Sequence, residues 1–456
     1  MEMIGKRALV WGMARSGIAA AKLLCSAGAH VRVNDLKTRE QLGSAIDELS
    51  IEGIEQRLGE RAEDALDGID LMVISPGIPV SHPAVALARE RGIEVIGEVE
   101  LAYRLGKGRV VGVTGTNGKT TTTTLLGEIF KNAGRIAYVV GNIGDPYSAY
   151  AARMKKDDMV VCELSSFQLE TVDTFHPEIS LVLNLTEDHL NRHGTMENYA
   201  RMKERVFENQ TGDDCVVLNY DDPITRKMAD DAKCRVIWFS RKGKPRTGAY
   251  VEDGTIVFRV DGKTTPVCLV EDVYIPGPHN LENALAATAA AICAGVPAPV
   301  VRHTLRTFKG VEHRIETVRT LDGVKYINDS KGTNPDSTIK AVETMKEPTV
   351  ILLGGSEKNS DFAEMCRVIG ENPIIYAVLL GKTGERIGEA LKNSGFTAYE
   401  YVGYDFEKAI STARAHSVRG GNVLLSPACA SFDMFSDYEA RGREFKRIVN
   451  ALTANE

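Results

Sequence analysis

The sequence lacks several features that would define a class of protein at once. It has no long run of lysine or arginine, and its formal net charge is −7. Binding to a nucleic-acid backbone requires a concentrated basic face, so we do not expect a nucleic-acid-binding protein. An anionic ligand must instead be bound by backbone amides, helix N-termini and a few well-placed cations.

Cysteine motifs and long apolar runs are missing as well. The eight cysteines are dispersed, with no C-x-x-C pair and no spacing typical of structural zinc, which favours thiols in a reducing compartment. The first residues enter a predicted strand without the apolar stretch of a signal peptide. The most apolar helix candidate, residues 284–295, is too short to cross a bilayer. We therefore expect a soluble cytoplasmic protein without membrane insertion.

The chain does contain a repeated alternation of short apolar segments with helical ones, which is typical of α/β domains with parallel sheets. Its 456 residues are enough for two to four domains at roughly 100–200 residues each. We predict three α/β domains, with boundaries near residues 98 and 309. The predicted strands are 8–12, 30–34, 71–75, 110–113, 159–163, 180–184, 215–219, 236–239, 324–328, 349–354, 374–380 and 422–426. A β-rich segment is predicted around 248–268, and helices are predicted over 16–27 and from Leu281 onward.

A glycine-rich segment follows the first strand of the second series. Its residues are Gly115, Thr116, Asn117, Gly118, Lys119 and Thr120. In such a turn, glycines let backbone amides converge on phosphate oxygens, while the lysine reaches the terminal phosphates and the threonine hydroxyl binds Mg²⁺. The pattern G-x-x-x-x-G-K-[ST] is not matched, because its first position falls on Val113. We interpret the segment as a shortened ATP-binding loop, with an incidental glycine-rich turn as the alternative.

Polar side chains end two further strands of this series. Glu163 ends one strand, and Asn184 to His189 follow the other. A carboxylate at the carboxyl end of a parallel strand, beside a phosphate loop, is well placed to hold Mg²⁺. Taken singly, His189 could equally be a capping or packing histidine, and Glu187 and Asp188 an acidic helix start. Since both strand ends lie at one edge of the sheet, we favour a shared site.

Two other segments leave their function open. Gly12 to Gly17 follows the first strand and Asp35 ends the second, which approaches a dinucleotide fingerprint. Ala14 replaces the glycine that lets a pyrophosphate approach, which weakens the case for NAD binding. NAD binding and a purely structural turn are kept as the two alternatives. For Lys203, local spacing alone favours an exposed helical cation.

In order and spacing these segments resemble the Mur ligases of peptidoglycan synthesis. The residues that carry the resemblance are 115–120, 163–168, 184–189, His279, Asn280, Asn283, His313, Arg314 and 329–331. Within the family, residues 328–334 and 426–433 resemble the members that add D-glutamate to UDP-N-acetylmuramoyl-L-alanine. The D-N-P-R element of the diamino-acid-adding members is absent.

The resemblance implies an ATP-dependent amide ligase that works through an acyl phosphate. It also implies a monomer with a Rossmann-like UDP-binding domain (1–98), a central P-loop-type ATPase domain (99–309) and a Rossmann-like, amino-acid-binding C-terminal domain (310–456). Two alternatives stay open. One is a folylpolyglutamate synthetase, which lacks a UDP-binding first domain, and the other is a scaffold that binds ATP without forming ADP.

Roles for individual residues follow from the same resemblance. ATP would be bound by Gly115, Thr116, Asn117, Gly118, Lys119, Thr120, Thr121, Asn280, Asn283, Arg314, Asp329 and Lys331. The UDP-linked substrate would be bound by Arg15, Ser16, Asp35, Leu36, Ser75, Asn142, Ser165, Gln168 and His189. D-Glutamate would be bound by Thr333, Lys358, Ser431, Phe432 and Tyr438, the last at a position where the family commonly has phenylalanine.

The resemblance further implies two Mg²⁺ sites, formed by Thr120, Glu163, His189 and a carbamylated Lys203. Carbamylation turns an ammonium into an anionic oxygen ligand, which suits a hard cation. Lys119, His189 and Lys203 would be the catalytic residues.

Overall fold

The protein is described from a computed structural model, in which residues 3–42, 46–50, 53–142, 144–356 and 360–454 are described. Lys358, predicted for the D-glutamate site, lies outside the described residues. The chain forms two compact units, residues 1–308 and 309–456. No disulfide joins the eight cysteines, all of which are among the described residues.

The first sheet belongs to the N-terminal part of the first unit. Its strands are β1 (Arg7–Trp11), β2 (His30–Asp35), β3 (Glu55–Leu58), β4 (Leu71–Ile74) and β5 (Glu94–Gly97). The helices of this part are α1 (Arg15–Ser26), α2 (Arg39–Leu42), α3 (Asp47–Ser50), α4 (Pro83–Glu90) and α5 (Glu98–Leu105), with a 3₁₀ helix over Ala62–Ala65. All strands are parallel, in the order β3-β2-β1-β4-β5.

The second sheet is larger and belongs to the same unit. Its strands are β6 (Arg109–Thr114), β7 (Ala137–Gly141), β8 (Met159–Glu163), β9 (Ile179–Val182), β10 (Cys215–Asn219), β11 (Arg235–Ser240), β12 (Gly248–Glu252), β13 (Thr255–Val260) and β14 (Lys263–Leu269). The order is β14-β13-β12-β11-β10-β9-β6-β8-β7. Only the pairs β12–β13 and β13–β14 are antiparallel among the strands described.

Helices flank this second sheet. They are α6 (Lys119–Asn132), α7 (Ser148–Ala151), α8 (Ser166–Leu169), α9 (Leu190–His193), α10 (Met196–Glu204), α11 (Pro223–Met228), α12 (Pro278–Cys293) and α13 (Ala298–Thr307). Two 3₁₀ helices cover Arg205–Phe207 and Val270–Asp272. No helix among the described residues combines the length and the apolar composition that a membrane span needs.

The second unit is built on a third sheet. Its strands are β15 (Glu316–Leu321), β16 (Val324–Asn328), β17 (Thr349–Gly354), β18 (Ile374–Leu380), β19 (Tyr399–Tyr401) and β20 (Asn422–Leu425), in the order β15-β16-β20-β17-β18-β19. Its helices are α14 (Pro335–Thr344), α15 (Ala363–Glu371), α16 (Gly384–Asn393), α17 (Phe406–His416) and α18 (Tyr438–Ala451). Strand β15 runs antiparallel to β16, and the other pairs are parallel.

Alternation of side chains along the strands builds two apolar layers in this unit. On β17, Ile351 and Leu353 belong to one buried cluster, whereas Val350 and Leu352 belong to the other. Successive strand residues point to opposite faces, so a continuous apolar run is buried when helices cover both faces. The predicted α/β fold is therefore confirmed.

Strand register brings three loop regions of the second sheet to one edge. In the pairing of β6 with β8, Val113 lies opposite Glu163, and in the pairing with β9, Thr114 lies opposite Val182. Because these strands are parallel, the glycine-rich segment, Glu163 and the 184–189 segment all emerge at the carboxyl edge of the sheet. Ligands of open α/β sheets bind at this edge.

Candidate functional site

The glycine-rich segment has a backbone that few residues other than glycine could adopt. Gly115 has a φ of +141° and Gly118 a φ of +83°. A Cβ atom on Gly118 would lie 2.2 Å from Oδ1 of Asn283, and one on Gly115 would lie 3.1 Å from the backbone nitrogen of Leu183. The segment thus passes too close to α12 and to the end of β9 for a side chain. It leads into α6, whose first backbone amides have no partner within the helix and suit an anion.

Gly118 offers a test of this close approach. We expect Gly118→Ala to destabilise the protein more than Gly134→Ala, because both positions have positive φ but only Gly118 meets another atom. At Gly134 a Cβ has no heavy atom within 4 Å. The free energy of unfolding of Gly134→Ala should therefore fall only by the conformational cost of about 1–2 kcal/mol. Free energies of unfolding from urea titrations measure the difference. Equal losses in the two variants would contradict the steric argument.

Two lysines converge on the glycine-rich segment. Nζ of Lys119 donates to the carbonyl oxygens of Gly115 and Thr116, both at 2.8 Å. Nζ of Lys203 donates to the same Gly115 oxygen at 3.0 Å. Two lysine side-chain nitrogens therefore share one carbonyl, next to the helix N-terminus.

The environment of Lys203 overturns what its local spacing favours. The residue is 1% exposed, so the interpretation as an exposed helical cation is wrong. The reason is tertiary, since this face of α10 packs against the glycine-rich segment. Burial, and then the nearby Lys119 charge, lower the pKa of Lys203 well below its usual value. The Tyr199 ring, 5.2 Å from Nζ, covers the ammonium.

Glu163 is the buried carboxylate at the end of β8. Its side chain is in contact with Asn142, whose Nδ2 donates to Oε1 at 2.9 Å. Oε2 is buried and has no hydrogen-bond partner among the described residues. A buried acceptor without a partner is costly, so the atom calls for a ligand.

Few side chains near Glu163 could bind a metal ion. Among the residues that the structure describes, no group of three or more His, Cys, Asp or Glu side chains could hold a metal ion. Mg²⁺ commonly takes only one or two protein carboxylates and completes its shell with phosphate oxygens and water. A single orphaned carboxylate oxygen beside a phosphate-type loop fits that kind of site.

His189 lies just after β9, in a left-handed conformation with a φ of +54°. Its Nε2 is 3.5 Å from an Asp188 carboxylate oxygen, and its ring centroid is 4.7 Å from that of Phe167. The side chain makes no capping hydrogen bond to α9, so the capping alternative is wrong. Burial lowers the pKa of His189, although Asp188 acts in the opposite direction.

Two predicted substrate ligands hold each other in place at the start of α8. The Ser165 amide donates to Oε1 of Gln168 at 3.0 Å, and the Gln168 amide donates to Oγ of Ser165 at 3.3 Å. This reciprocal pair is a capping box, which satisfies two amide groups at a helix start. It fixes both side chains close to the Glu163 loop.

Asparagines on α12 join that helix to α6. Oδ1 of Asn283 accepts from the Thr122 hydroxyl at 3.3 Å, and Nδ2 of Asn283 donates to Oδ1 of Asn280 at 3.3 Å. Asn280 in turn donates to the Pro276 carbonyl at 2.7 Å. Thr120 and Thr121 are buried at the start of α6. The residues predicted for ATP in the first unit are thus brought together.

At the first sheet, the loop after β1 is held by two predicted ligands. The Asp35 carboxylate accepts from the Met13 amide at 2.8 Å and from the Lys37 amide at 2.9 Å. The Ser75 hydroxyl donates to the Gly12 carbonyl at 2.9 Å. Other residues predicted for this site lie at its surface, where Arg15 and Leu36 are exposed and Ser16 is partly buried.

The second unit carries the remaining predicted ligands. Asp329 is buried after β16, where Oδ2 accepts from the Ser426 hydroxyl at 2.7 Å and Oδ1 from the Ile315 amide at 3.2 Å. Burial raises the pKa of Asp329 to about 6, while Arg314 acts in the opposite direction. His313 and Ile315, on either side of Arg314, have φ values of +64° and +46°. Such strained residues often cluster at functional sites.

Lys331 lies nearby, with Nζ 5.4 Å from the centroid of the Tyr438 ring. Thr333 is half-buried two residues further along the chain. The Ser431 hydroxyl is buried and has no hydrogen-bond partner in the described part of the chain. Phe432, by contrast, is 70% exposed.

Sequence reasoning missed two arginines that organise these segments. Arg192 donates to the Ile78 carbonyl at 3.2 Å, pairs with Glu170 at 2.6 Å and covers the Phe167 ring at 5.2 Å. It therefore ties the loop after β4 to the ring beside His189. The other is the buried Arg441 on α18. No motif in the sequence marks Arg192 or Arg441 among the other helical arginines.

Comparison with known proteins identifies the protein family to which the chain is similar. Three family descriptions match successive parts of the chain: "Mur ligase MurD-like, N-terminal domain" at 6–97, "Mur ligase middle domain" at 113–291 and "Mur ligase, glutamate ligase domain" at 313–429. The protein named UDP-N-acetylmuramoylalanine--D-glutamate ligase from Thermoanaerobacter sp. (strain X514) is 47% identical over 453 residues, which are 99% of this chain and 100% of that protein. The protein of the same name from Clostridioides difficile (strain 630) is 47% identical over 454 residues, with 99% and 100% covered.

A solved structure extends the comparison to the fold alone. The UDP-N-acetylmuramate-alanine ligase of Thermotoga maritima is 20% identical, with a TM-score of 0.60 over 98% of this chain and 99% of that one. The full-length relatives at 47% identity show that the chain is an ATP-dependent ligase. The chain belongs to the Mur ligase family, whose members act in peptidoglycan precursor synthesis. The resemblance identified in the sequence is confirmed, while the domain boundaries and the roles of single residues stay predictions.

Proposed function

We propose that the protein joins D-glutamate to UDP-N-acetylmuramoyl-L-alanine and converts ATP to ADP and phosphate. The observation that carries the proposal is the junction at the glycine-rich segment, where Lys119 and Lys203 meet at one carbonyl oxygen near the orphaned carboxylate of Glu163. Full-length relatives at 47% identity whose names state this reaction support the choice of D-glutamate.

In the first step, the carboxylate of the muramoyl-L-alanine attacks the γ-phosphorus of ATP, giving an acyl phosphate and ADP. Amides of Gly115 to Thr121 bind the phosphates, and Lys119 offsets charge on the transferring phosphoryl group. Asn280 and Asn283, which lie against this segment, bind the adenine. Their hydrogen bonds to one another and to α6 orient them for that contact.

The orphaned Glu163 oxygen and the Thr120 hydroxyl would hold one Mg²⁺, and His189 with a carbamylated Lys203 a second. Bound Mg²⁺ supplies neutralisation of phosphate charge. Carbamylation of Lys203 would also place a negative charge beside Lys119. That charge attracts the Lys119 ammonium in a poorly solvated place.

In the second step, the D-glutamate amine attacks the acyl phosphate carbonyl, and the tetrahedral intermediate collapses with release of phosphate. The Ser431 hydroxyl is buried without a hydrogen-bond partner among the described residues, which supports a role for this residue in binding a carboxylate of D-glutamate. Thr333, Phe432 and Tyr438 complete the proposed pocket. Arg314, Asp329 and Lys331 serve the nucleotide.

The UDP-linked substrate takes the carboxyl edges of both sheets of the first unit. Arg15, Ser16, Asp35, Leu36 and Ser75 bind its UDP part, and Asn142, Ser165, Gln168 and His189 its muramoyl-alanine part. Every proposed ligand comes from one chain, so we propose that a monomer is sufficient. Because ATP and UDP-sugars are cytoplasmic metabolites, we place the reaction in the cytoplasm.

An amino-acid specificity assay tests the proposal. Phosphate release from ATP should require both UDP-N-acetylmuramoyl-L-alanine and D-glutamate. L-Glutamate, L-lysine and diaminopimelate serve as comparison substrates and should give no release. Release with L-lysine or diaminopimelate would assign another member of the family. ATP binding without ADP formation under every combination would favour a scaffold, and failure to bind any UDP-sugar would favour a folylpolyglutamate synthetase.

A further inference from the structure

Arg441 is a buried arginine without a carboxylate partner in the described part of the chain. It lies on α18 and is 1% exposed, and its hydrogen bonds to described residues all go to serine and backbone oxygens. Burying a charge is costly unless it is hydrogen-bonded or paired. Burial lowers the pKa of Arg441 to about 10, so the group is still positive at neutral pH. The hydrogen bonds of the Arg441 guanidinium must therefore offset the cost of its burial.

Those contacts all lead to two loops. Nε and Nη2 donate to Oγ and O of Ser330, at 2.9 and 2.8 Å. Nη1 and Nη2 both donate to the Cys429 carbonyl at 3.1 Å, and Nη1 lies 3.5 Å from the Ala430 carbonyl. One planar guanidinium therefore joins the loop after β16 to the loop after β20.

The joined residues stand next to proposed ligands. Ser330 precedes Lys331 in the chain, and Ala430 precedes Ser431. The Ser330 hydroxyl also donates to the Tyr438 carbonyl at 2.8 Å, which adds the first turn of α18 to the same cluster. The neighbours of Lys331 and Ser431 and the backbone of Tyr438 are thus linked through one side chain.

The cluster leaves little room for adjustment. Ala428, just before the joined carbonyls, has a φ of +60°, which is strained for a residue with a side chain. A Cβ on Gly355 would lie 2.2 Å from the Ala430 carbonyl. A Cβ on Gly442 would lie 2.3 Å from Nδ1 of His313. The loops after β16 and β20 are therefore closely packed, and a small shift of either one would produce steric clashes.

We propose that Arg441 is a positioning residue, which sets the spacing between Ser431 and Tyr438 and thereby the affinity for D-glutamate. The inference rests on the proposed function, because that function assigns the two ligands. Arginine is required for the role, since its fixed fork of five N–H donors reaches both loops. Lysine offers a single nitrogen.

Steady-state kinetics of Arg441→Met and Arg441→Lys test the inference. Arg441→Met should raise KM for D-glutamate by about tenfold or more, because it removes several hydrogen bonds from a charged group. KM for UDP-N-acetylmuramoyl-L-alanine should be unchanged, since the first unit binds that substrate. Arg441→Lys should recover only part of the loss. A merely structural role would lower the amount of active enzyme and leave every KM in place.

Arg319→Met is the matched control. Nη1 of Arg319 also donates to backbone carbonyls, those of Val449, Asn450 and Leu452 at 3.1, 3.0 and 3.2 Å, but these lie near the end of α18. This variant should lose stability without a change in any KM. Should Arg441→Met not fold, Ser330→Ala removes one contact of the guanidinium and should raise KM for D-glutamate in the same direction.

Three outcomes would overturn the inference. The first is an unchanged KM for D-glutamate in the Arg441 variants that fold and in Ser330→Ala. The second is a rise of the same size in Arg319→Met. The third is a wild-type enzyme that does not use D-glutamate, which would overturn the proposed function as well. The first two leave the proposed function intact, so the two failures are distinguishable.

Discussion

Replacing Lys119 by methionine should abolish ATP turnover and leave the protein folded. The side chain keeps its length but loses the charge that offsets the transferring phosphoryl group. Groups of this kind contribute about 10³-fold or more to phosphoryl transfer. The fold should tolerate the change, because the Gly115 carbonyl still accepts from Lys203 when Lys119 is replaced. Phosphate release and urea unfolding, measured on the same preparation, check both parts.

Lys131→Met is the matched control for this prediction. Lys131 lies on the same helix, α6, and pairs with Glu128 at 2.8 Å on the exposed surface. Surface pairs of this kind contribute little to stability, so the variant should keep both turnover and stability. If Lys119→Met retained wild-type turnover, the proposed role of the glycine-rich segment would be wrong. Equal losses in both variants would indicate a nonspecific effect on α6.

Glu163→Gln should lower the activity and leave the stability unchanged or increased. The glutamine keeps the shape of the side chain and can accept from Asn142, but it removes the negative charge. We expect a loss of about 10²-fold or more in kcat/KM, together with a higher Mg²⁺ requirement, as for lost transition-state electrostatics. The free energy of unfolding should stay the same or increase, since a buried, incompletely paired carboxylate is destabilising. Turnover over a Mg²⁺ titration and urea unfolding measure the two effects.

The control here is Glu178→Gln. Glu178 precedes β9 and pairs with Arg109 at 2.8 Å, with both side chains more than a third exposed. Its loss should change stability by no more than about 1 kcal/mol and leave the Mg²⁺ dependence as it is. Wild-type Mg²⁺ dependence in Glu163→Gln would rule out this carboxylate as a metal ligand.

Much of the fold could be predicted from the sequence, because the central strands are apolar runs that helices cover on both faces. The predicted strands 159–163, 215–219, 324–328, 349–354 and 374–380 have the same bounds in the structure. The strands β3, β5, β7, β15 and β19 were not predicted. Each of them lies at a sheet edge and pairs with one neighbour. Strand β3, with the sequence Glu-Gln-Arg-Leu, is half exposed and carries no apolar run.

The candidate site was predictable where its residues follow strands directly. The glycine-rich segment, Glu163 and His189 come at strand ends, and the parallel order of β6, β8 and β9 brings them to one edge. The burial of Lys203 was not predictable from local spacing, because tertiary packing of α10 decides it. The contacts of Arg441 were hidden for the same reason, since two loops far apart in the chain meet at one helix.

The hydrogen bonds of Lys119 have a consequence for selectivity among phosphate compounds. Its ammonium already has two carbonyl acceptors within its own loop, so any incoming anion must compete with them. Hydrogen bonds from charged groups are worth about 1.5–3 kcal/mol each, which sets a threshold that a weakly charged ligand does not cross. A triphosphate, with several oxygens and a higher charge, displaces these carbonyls more readily than inorganic phosphate or a monophosphate. If the loop binds phosphate as proposed, we therefore expect it to favour a triphosphate over small anions.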